Sequence, residues 1–196
     1  LINVDGLDVL VVERYDRRRT DDGILERIHQ EDSCQALGVN IDEQHGRGKY
    51  ERFGGPTFAQ IAELCDRYGD PTMAFPDLLA NAVFTWVIGN GDAHGKNVSL
   101  LVDIQTGHVD LAPLYDTVPT ALWPTLRPTA AMSVNGKHED VTRDDFVAEA
   151  RRWGFARAGA ERLIDDLAVR LVAATADCRD DRVASLVTER LRTLEH

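Results

Sequence analysis

The sequence predicts an α+β fold that is mainly α-helical and carries one small β-hairpin. Residues 58–69 and 142–194 place apolar side chains at helical spacing. Residues 77–90 are apolar nearly all round, which is typical of a helix in the middle of a core. Two strand-like runs, VSLLVD and HVDLA, flank a glycine-containing turn and predict the hairpin. With 196 residues, 43% of them hydrophobic, the chain is long enough for one compact domain.

Two strands and a short helix are expected in the first part of the chain. Residues 7–15, LDVLVVERY, are rich in Val and Leu and predict a buried strand leading into a connector. A second strand is expected over residues 23–29. From Gln30, the run QEDSCQALG combines early acids with a glycine at Gly38, which predicts a short helix. Residues 39–55 are polar and glycine-rich and are expected to form a mobile loop.

Two helices are predicted before the hairpin. Pro56 is expected in the first turn of the helix FAQIAELCDRYG, which Gly69 ends. Pro76 is expected to open the apolar helix that follows. The first helix therefore buries one face, formed by Phe58, Ile61, Leu64 and Cys65.

Helices are also predicted after the hairpin, whose turn occupies residues 104–107. Thr142 and Asp145 form a candidate capping box at the start of the first helix, and Gly154 ends it. Two further amphipathic helices are expected over residues 158–178 and 181–194.

Composition favours a cytoplasmic protein. The formal charge of −11 argues against direct binding to nucleic acid or to an anionic membrane, since both need a basic protein surface. No apolar run is long enough to span a bilayer, and no secretory start is present. The three cysteines lack metal or redox spacing and are expected to be reduced thiols. We set residues 194–196 apart from the fold, because Leu-Glu-His is typical of a vector-derived tail.

The bend at residues 88–99, IGNGDAHGKNVS, carries the strongest chemical signal. Asp92 is followed five residues later by Asn97, which is the spacing of a kinase catalytic loop. There the Asp accepts the proton of an attacking hydroxyl and the Asn binds Mg²⁺. Asp116 follows the hairpin and occupies the place of a second magnesium acid. Lys96 is placed to offset phosphate charge, and His94 is placed to hold the loop. The spacing of Asp92 and Asn97 is not specific by itself, because Asp and Asn are also common in turns.

Four segments in order resemble the HipA-type serine/threonine kinases, the toxin halves of bacterial toxin–antitoxin pairs. They are, in chain order, VVERYDR, RIHQEDSCQALG, NGDAHGKNVSLL and LAPLYDTVPT. The resemblance implies the C-terminal lobe of an atypical protein-kinase-like fold that uses ATP and Mg²⁺. It implies Asp92 as catalytic base and Asn97 and Asp116 as magnesium ligands. It also implies adenine contacts from the backbone of Glu13, Arg14 and Tyr15.

The positions of the lysines differ from those in a complete kinase. Such an enzyme carries a phosphate-binding loop and a strand lysine upstream of the hinge. The only lysines are Lys49, Lys96 and Lys137, and none precedes the candidate hinge. Residues 1–193 are therefore expected to form the C-terminal domain alone, with weak ATP binding and negligible phosphotransfer from this chain by itself.

The resemblance also implies partners. Family members phosphorylate proteins, in some cases an aminoacyl-tRNA synthetase, and pair with a HipB-like helix-turn-helix antitoxin that binds DNA. Two alternatives remain open at this point. A small-molecule phosphotransferase of the aminoglycoside or choline kinase kind shares the same Asp and Asn spacing, and a lobe of this kind can also act as a non-catalytic module that binds the antitoxin.

Overall fold

The computed structural model describes residues 2–126 and 129–195 and confirms an α+β fold dominated by helices. Leu1 and His196, at the limits of the predicted domain and tail, lie outside the described residues. The strands are β1 (Ile2–Val4), β2 (Leu7–Val9), β3 (Arg17–Arg19), β4 (Leu25–Arg27), β5 (His29–Asp32), β6 (Ser99–Val102) and β7 (Val109–Leu111). The α-helices are α1 (Ser33–Ala36), α2 (Glu43–Gly46), α3 (Phe58–Tyr68), α4 (Pro71–Val87), α5 (Arg143–Arg152), α6 (Arg157–Thr175) and α7 (Asp181–Leu191).

The first two antiparallel pairs, β1–β2 and β3–β4, lie at the surface. The prediction of one buried strand over residues 7–15 is wrong: β2 ends at Val9, and Leu10 and Val12 are 72% and 70% exposed. Apolar composition alone does not fix burial, because burial also needs a facing layer. The strand predicted over residues 23–29 is interrupted: β4 covers Leu25–Arg27, and His29 already belongs to β5.

A three-stranded antiparallel sheet in the order β5-β6-β7 carries the predicted hairpin. Its extra strand, β5, pairs His29 with Val102 and Asp32 with Ser99. The run from Gln30 was expected to start a helix, but residues 30–32 belong to β5 and α1 begins at Ser33. Asp32 is its N-cap and accepts a hydrogen bond from the backbone N–H of Gln35.

The helices α3 and α4 form the centre of the molecule. Helix α3 begins after Thr57, whose hydroxyl caps it, so Pro56 precedes the helix instead of lying in its first turn. Helix α4 begins at Pro71 rather than at Pro76, because the Asp70 carboxylate accepts the N–H of Thr72 and caps the helix there. Its buried side chains recur in pairs at helical spacing and form one broad face, while the residues between them are half-buried or exposed. The buried residues are Ala74, Phe75, Leu78, Leu79, Ala82, Val83, Trp86 and Val87.

The C-terminal helices pack on α4 and complete the core. The capping box of Thr142 and Asp145 is present at the start of α5. Helices α6 and α7 follow the predicted ranges closely and bury Ile164, Val187 and Leu191. Leu194, in the tail that was set apart from the fold, is only 4% exposed and belongs to the same core.

Within residues 2–126 and 129–195, no helix is long and apolar enough to cross a lipid bilayer. The three cysteines are free thiols, as expected. Burial raises the pKa of Cys34 and of Cys65 to about 11, so both thiols stay protonated at neutral pH.

Candidate active site

The glycine-rich bend joins the end of α4 to β6. Gly89 has a φ of 70°, and a Cβ there would lie 2.8 Å from Ala121 Cβ, so only glycine fits this turn without strain. A short 3₁₀ turn, Gly95–Asn97, then leads directly into the sheet. The polar side chains of the bend are thus fixed between a buried helix and a buried strand.

Asn97 and Asp116 meet across the base of the hairpin. The Asn97 Nδ2 donates to Asp116 Oδ2 at 2.6 Å, and the Asn97 Oδ1 accepts the backbone N–H of His94 at 3.2 Å. Asn90 Nδ2 donates to the Asp116 carbonyl oxygen at 3.3 Å and so holds the backbone there. The structure therefore brings together two of the residues that the sequence predicts as metal ligands.

Asp92 lies on the same loop, five residues before Asn97. Its side chain is 57% exposed, which leaves it accessible to a substrate. The Tyr50 hydroxyl donates to Asp92 Oδ1 at 2.6 Å, and the backbone N–H of Asp92 donates to Asn90 Oδ1 at 3.1 Å. The loop therefore presents one carboxylate to solvent, five residues before the asparagine that contacts Asp116.

His94 is buried beneath this carboxylate. Its ring packs edge-on against Tyr50 at 5.1 Å between centroids, and its Nδ1 has no hydrogen-bond partner among the described residues. Burial lowers the pKa of His94 below 6.5, and the charge of Lys49 lowers it further, while Asp92 and Asp116 act in the opposite direction. His94 is therefore a neutral packing residue at pH 7.

Lys96 points its charge outward, and its ammonium makes no hydrogen bond or ion pair with residues 2–126 or 129–195. Its backbone carbonyl accepts the Tyr115 hydroxyl at 2.6 Å. Tyr115 also shares a 2.6 Å hydrogen bond with Ser99 Oγ, to which Gln30 Nε2 donates at 2.9 Å. This network ties β5 to the bend, and burial raises the pKa of Tyr115 to about 12.

The segment whose backbone is expected to contact adenine approaches the site through Tyr15, whose ring lies 6.0 Å from that of Tyr115. Glu13 is exposed, and its side chain makes no hydrogen bond or ion pair with the described residues. Arg14 pairs with Asp16, at 2.6 Å, instead of facing the bend. The hydrogen bond from Arg14 holds the pKa of the buried Asp16 well below its ordinary value.

Sequence reasoning missed Tyr50 and Ser33. Ser33 Oγ donates to the Gly95 carbonyl at 2.5 Å and its N–H donates to the Val98 carbonyl, so α1 anchors the bend from behind. The Tyr50 contact joins residues 42 positions apart and has no local pattern that predicts it. Residues 39–55, expected to be a mobile loop, therefore supply a direct partner of Asp92.

The donor set suits Mg²⁺ bound together with a phosphate. No cluster of three or more His, Cys, Asp or Glu side chains able to hold a metal occurs in the described part of the chain. Mg²⁺ characteristically takes one or two protein carboxylates and completes its shell with waters and substrate phosphates. The exposed Asp116 carboxylate is a hard oxygen ligand of this kind. Asn97 turns its Nδ2 towards Asp116, so the oxygen that it can offer a metal is Oδ1, which also accepts the His94 N–H.

Residues 1–175 match the family model described as the HipA-like C-terminal domain. The chain belongs to this family. "Putative kinase Y4mE" of Sinorhizobium fredii is 40% identical over 183 residues, which cover 91% of this chain and 42% of that protein. "Serine/threonine-protein kinase toxin HipA" of Shewanella oneidensis is 31% identical over 154 residues, 70% of this chain and 35% of that protein.

A solved structure shows the same fold. In the complex of Shewanella oneidensis HipA, HipB and operator DNA, a chain superposes with a TM-score of 0.72 at 26% identity, over 92% of this chain and 46% of that chain. The HipA-like chain thus spans less than half the length of these proteins. Its relatives are named as kinases, which places it in a HipA-type kinase family.

Proposed function

We propose that the protein containing this chain is a HipA-type serine/threonine kinase that transfers the γ-phosphate of ATP to a hydroxyl group of a protein. The observation that carries the proposal is the 2.6 Å contact between Asn97 and Asp116. Asp92, exposed to solvent, lies on the same bend as Asn97. These are the residue types and chain order of a phosphotransfer site.

Each residue has a distinct role in this proposal. Asp92 accepts the proton of the acceptor hydroxyl. The oxygen of that hydroxyl bonds to the γ-phosphorus while the bond from the γ-phosphorus to ADP breaks and ADP leaves. Asn97 and Asp116 hold Mg²⁺, which when bound neutralises and orients phosphate oxygens. Lys96 offsets phosphate charge from the rim. The backbone of residues 13–15 contacts adenine, with Tyr15 packed towards the bend.

Partners follow from the same proposal. A relative of this fold is solved with HipB and operator DNA, which supports a HipB-like helix-turn-helix antitoxin as partner. The net charge of −11 supports leaving DNA contact to the antitoxin. We propose a protein substrate of the aminoacyl-tRNA synthetase class. We also propose a cytoplasmic location.

The decisive experiment compares the complete wild-type protein with its Asp92→Asn variant. The change removes the proton acceptor and little volume, so we expect phosphotransfer to fall by about 100-fold or more while the melting temperature stays constant. Transfer of ³²P from γ-labelled ATP is measured on an array of Ser- and Thr-containing peptides and on the protein itself. Asp66→Asn, at an exposed position of α3, is the matched control and retains full activity.

Two results would overturn the proposal. Unchanged turnover in Asp92→Asn would remove Asp92 from the mechanism. Phosphorylation of choline or kanamycin in preference to every peptide would identify a small-molecule phosphotransferase. The same assay on residues 1–196 alone tests the expectation of weak ATP binding and negligible transfer, which robust activity would contradict.

A further inference from the structure

We propose that Tyr50 is a positioning residue that fixes the carboxylate of Asp92 so that one of its oxygens faces the acceptor hydroxyl. This inference rests on the proposed function, in which Asp92 is the base. Residues 47–55, which lie between α2 and α3, therefore carry the residue that orients Asp92.

The first support is the hydrogen bond itself. Tyr50 donates to Asp92 Oδ1 at 2.6 Å, and within residues 2–126 and 129–195 Asp92 Oδ2 has no hydrogen-bond partner. A carboxylate on an exposed side chain otherwise rotates freely, and one short hydrogen bond selects a single orientation. The engaged oxygen is therefore separated from the oxygen that remains for the acceptor.

The second support is the protonation of the phenol. Burial, together with the hydrogen bond to Asp92, raises the pKa of Tyr50 to about 12. The hydroxyl therefore keeps its proton at neutral pH and only donates to the carboxylate. It orients the base without competing for the proton that the base must accept.

The third support is that the backbone holds Tyr50 in place from both sides. The Gly95 N–H donates to the Lys49 carbonyl at 3.1 Å, which joins this segment to the bend next to Asp92. The Gly55 N–H donates to the Tyr50 carbonyl at 3.0 Å. A Cβ at Gly55 would lie 2.6 Å from the Lys49 carbonyl carbon, so glycine allows this close approach.

Side chains complete the support around Tyr50. Its ring meets the buried His94 edge-on at 5.1 Å, and the Lys49 ammonium lies 5.2 Å from the ring centroid. The neighbouring Glu51 carboxylate accepts hydrogen bonds from the N–H and hydroxyl of Ser133, at 2.5 and 2.6 Å. The contact with Asp92 is therefore built by a fixed segment.

The Tyr50→Phe variant of the complete protein tests the inference. It keeps the ring and its contacts with His94 and Lys49 and removes only the hydroxyl. We expect kcat to fall about tenfold on the peptide that the wild-type protein phosphorylates best, with KM for ATP changed by less than about twofold. Tyr68→Phe, on an exposed turn of α3, is the matched control and leaves both constants unchanged.

A double-mutant cycle separates positioning from general stability. In an Asp92→Ala background Tyr50 has no carboxylate to orient, so Tyr50→Phe leaves the residual rate unchanged. An equal loss in both backgrounds would show a structural role and overturn the inference. A Tyr50→Phe rate equal to that of wild type would also overturn the inference. A rate above that of wild type would overturn it as well, and would mean that the phenol occupies the position of the acceptor hydroxyl. If Asp92→Asn keeps its turnover, the proposed function itself fails.

Discussion

Asp116 adopts a backbone conformation that favours glycine. Its φ is 53°, in the left-handed region, where short polar side chains such as Asp are better tolerated than larger ones. Asn90 holds its carbonyl oxygen and Asn97 holds its carboxylate. Strain of about 1–2 kcal/mol is typical of such a residue and is retained where surrounding bonds define the position. The sequence predicted Asp116 through its place after the hairpin, but the conformation depends on Asn90, 26 residues earlier in the chain.

Asp145 stabilises the start of α5 through its charge. Its buried carboxylate accepts hydrogen bonds from Asn135, Lys137 and Thr142. Burial alone would raise the pKa of Asp145, but these hydrogen bonds outweigh it and lower the pKa from 3.8 to about 2. Because the folded pKa is lower than the unfolded one, the stabilisation is complete above about pH 5 and is lost as pH falls towards 2.

We therefore predict that Asp145→Asn lowers the free energy of unfolding by about 1–2 kcal/mol at pH 7. The difference from wild type shrinks as pH falls from 4 to about 2, since the wild-type carboxylate becomes protonated over this range. Urea unfolding at pH 7, 4 and 3 measures both effects. Asp166→Asn, at an exposed position of α6, serves as control. A constant difference at every pH would contradict the assigned charge effect.

The 3₁₀ turn at Gly95–Asn97 is held by its fit against neighbouring segments. A Cβ on Gly95 would lie 2.5 Å from both Pro56 Cγ and Cδ and 3.0 Å from Cys34 Sγ. The turn is therefore pressed between α1 and the segment that enters α3. This close fit keeps Asn97, two residues later, at its place beside Asp116.

Replacing this glycine should disturb the site more than the fold. We predict that Gly95→Ala costs about 1–3 kcal/mol of stability through overpacking. Activity at a temperature where the variant is fully folded should fall by roughly tenfold or more, because a displacement of the turn moves the ligands. Differential scanning calorimetry and the peptide assay measure the two effects. Gly159→Ala, where the nearest neighbour is the side chain of Phe155, is expected to change activity little, and wild-type activity in Gly95→Ala would refute the prediction.

The helices and strands were predictable to different degrees. Helices α3, α5, α6 and α7 follow from apolar spacing because each packs one face on the core. The start of α4 was misplaced because Pro76 and Pro71 both suit a first turn, and only the capping contact of Asp70 decides between them. Strand β5 was missed because its polar residues resemble a helix start, while its pairing with β6 involves residues distant in the chain.

The whole molecule extends its core beyond the limit of the family match at residue 175. Val187, Leu191 and Leu194 are buried, and Trp86 Nε1 on α4 donates to Thr193 Oγ1 at 3.3 Å. The guanidinium of Arg190 lies 4.2 Å from the ring centroid of Trp86. Helix α7 and the residues after it thus cover one side of the central helix.

Removing residues 177–196 should therefore destabilise the fold. Burial of one large apolar side chain contributes about 1.5–3 kcal/mol to the free energy of unfolding. The loss of three such side chains approaches the total stability of a typical domain. We predict that the shortened chain loses its cooperative thermal transition, as measured by circular dichroism and calorimetry. A chain that lacks only residues 195–196 keeps it, and a cooperative transition in the shortened chain near the wild-type temperature would disprove the prediction.

The close approach at Gly89 ties the C-terminal helix to the glycine-rich bend. Leu186 Cδ2 lies 2.9 Å from where a Cβ on Gly89 would stand, and Ala121, whose N–H donates to the Gly89 carbonyl at 2.9 Å, lies on the other side. A displacement of α7 by even one ångström would therefore press on Gly89, where the bend begins. The end of the polypeptide is thereby coupled mechanically to the segment that carries Asp92 and Asn97.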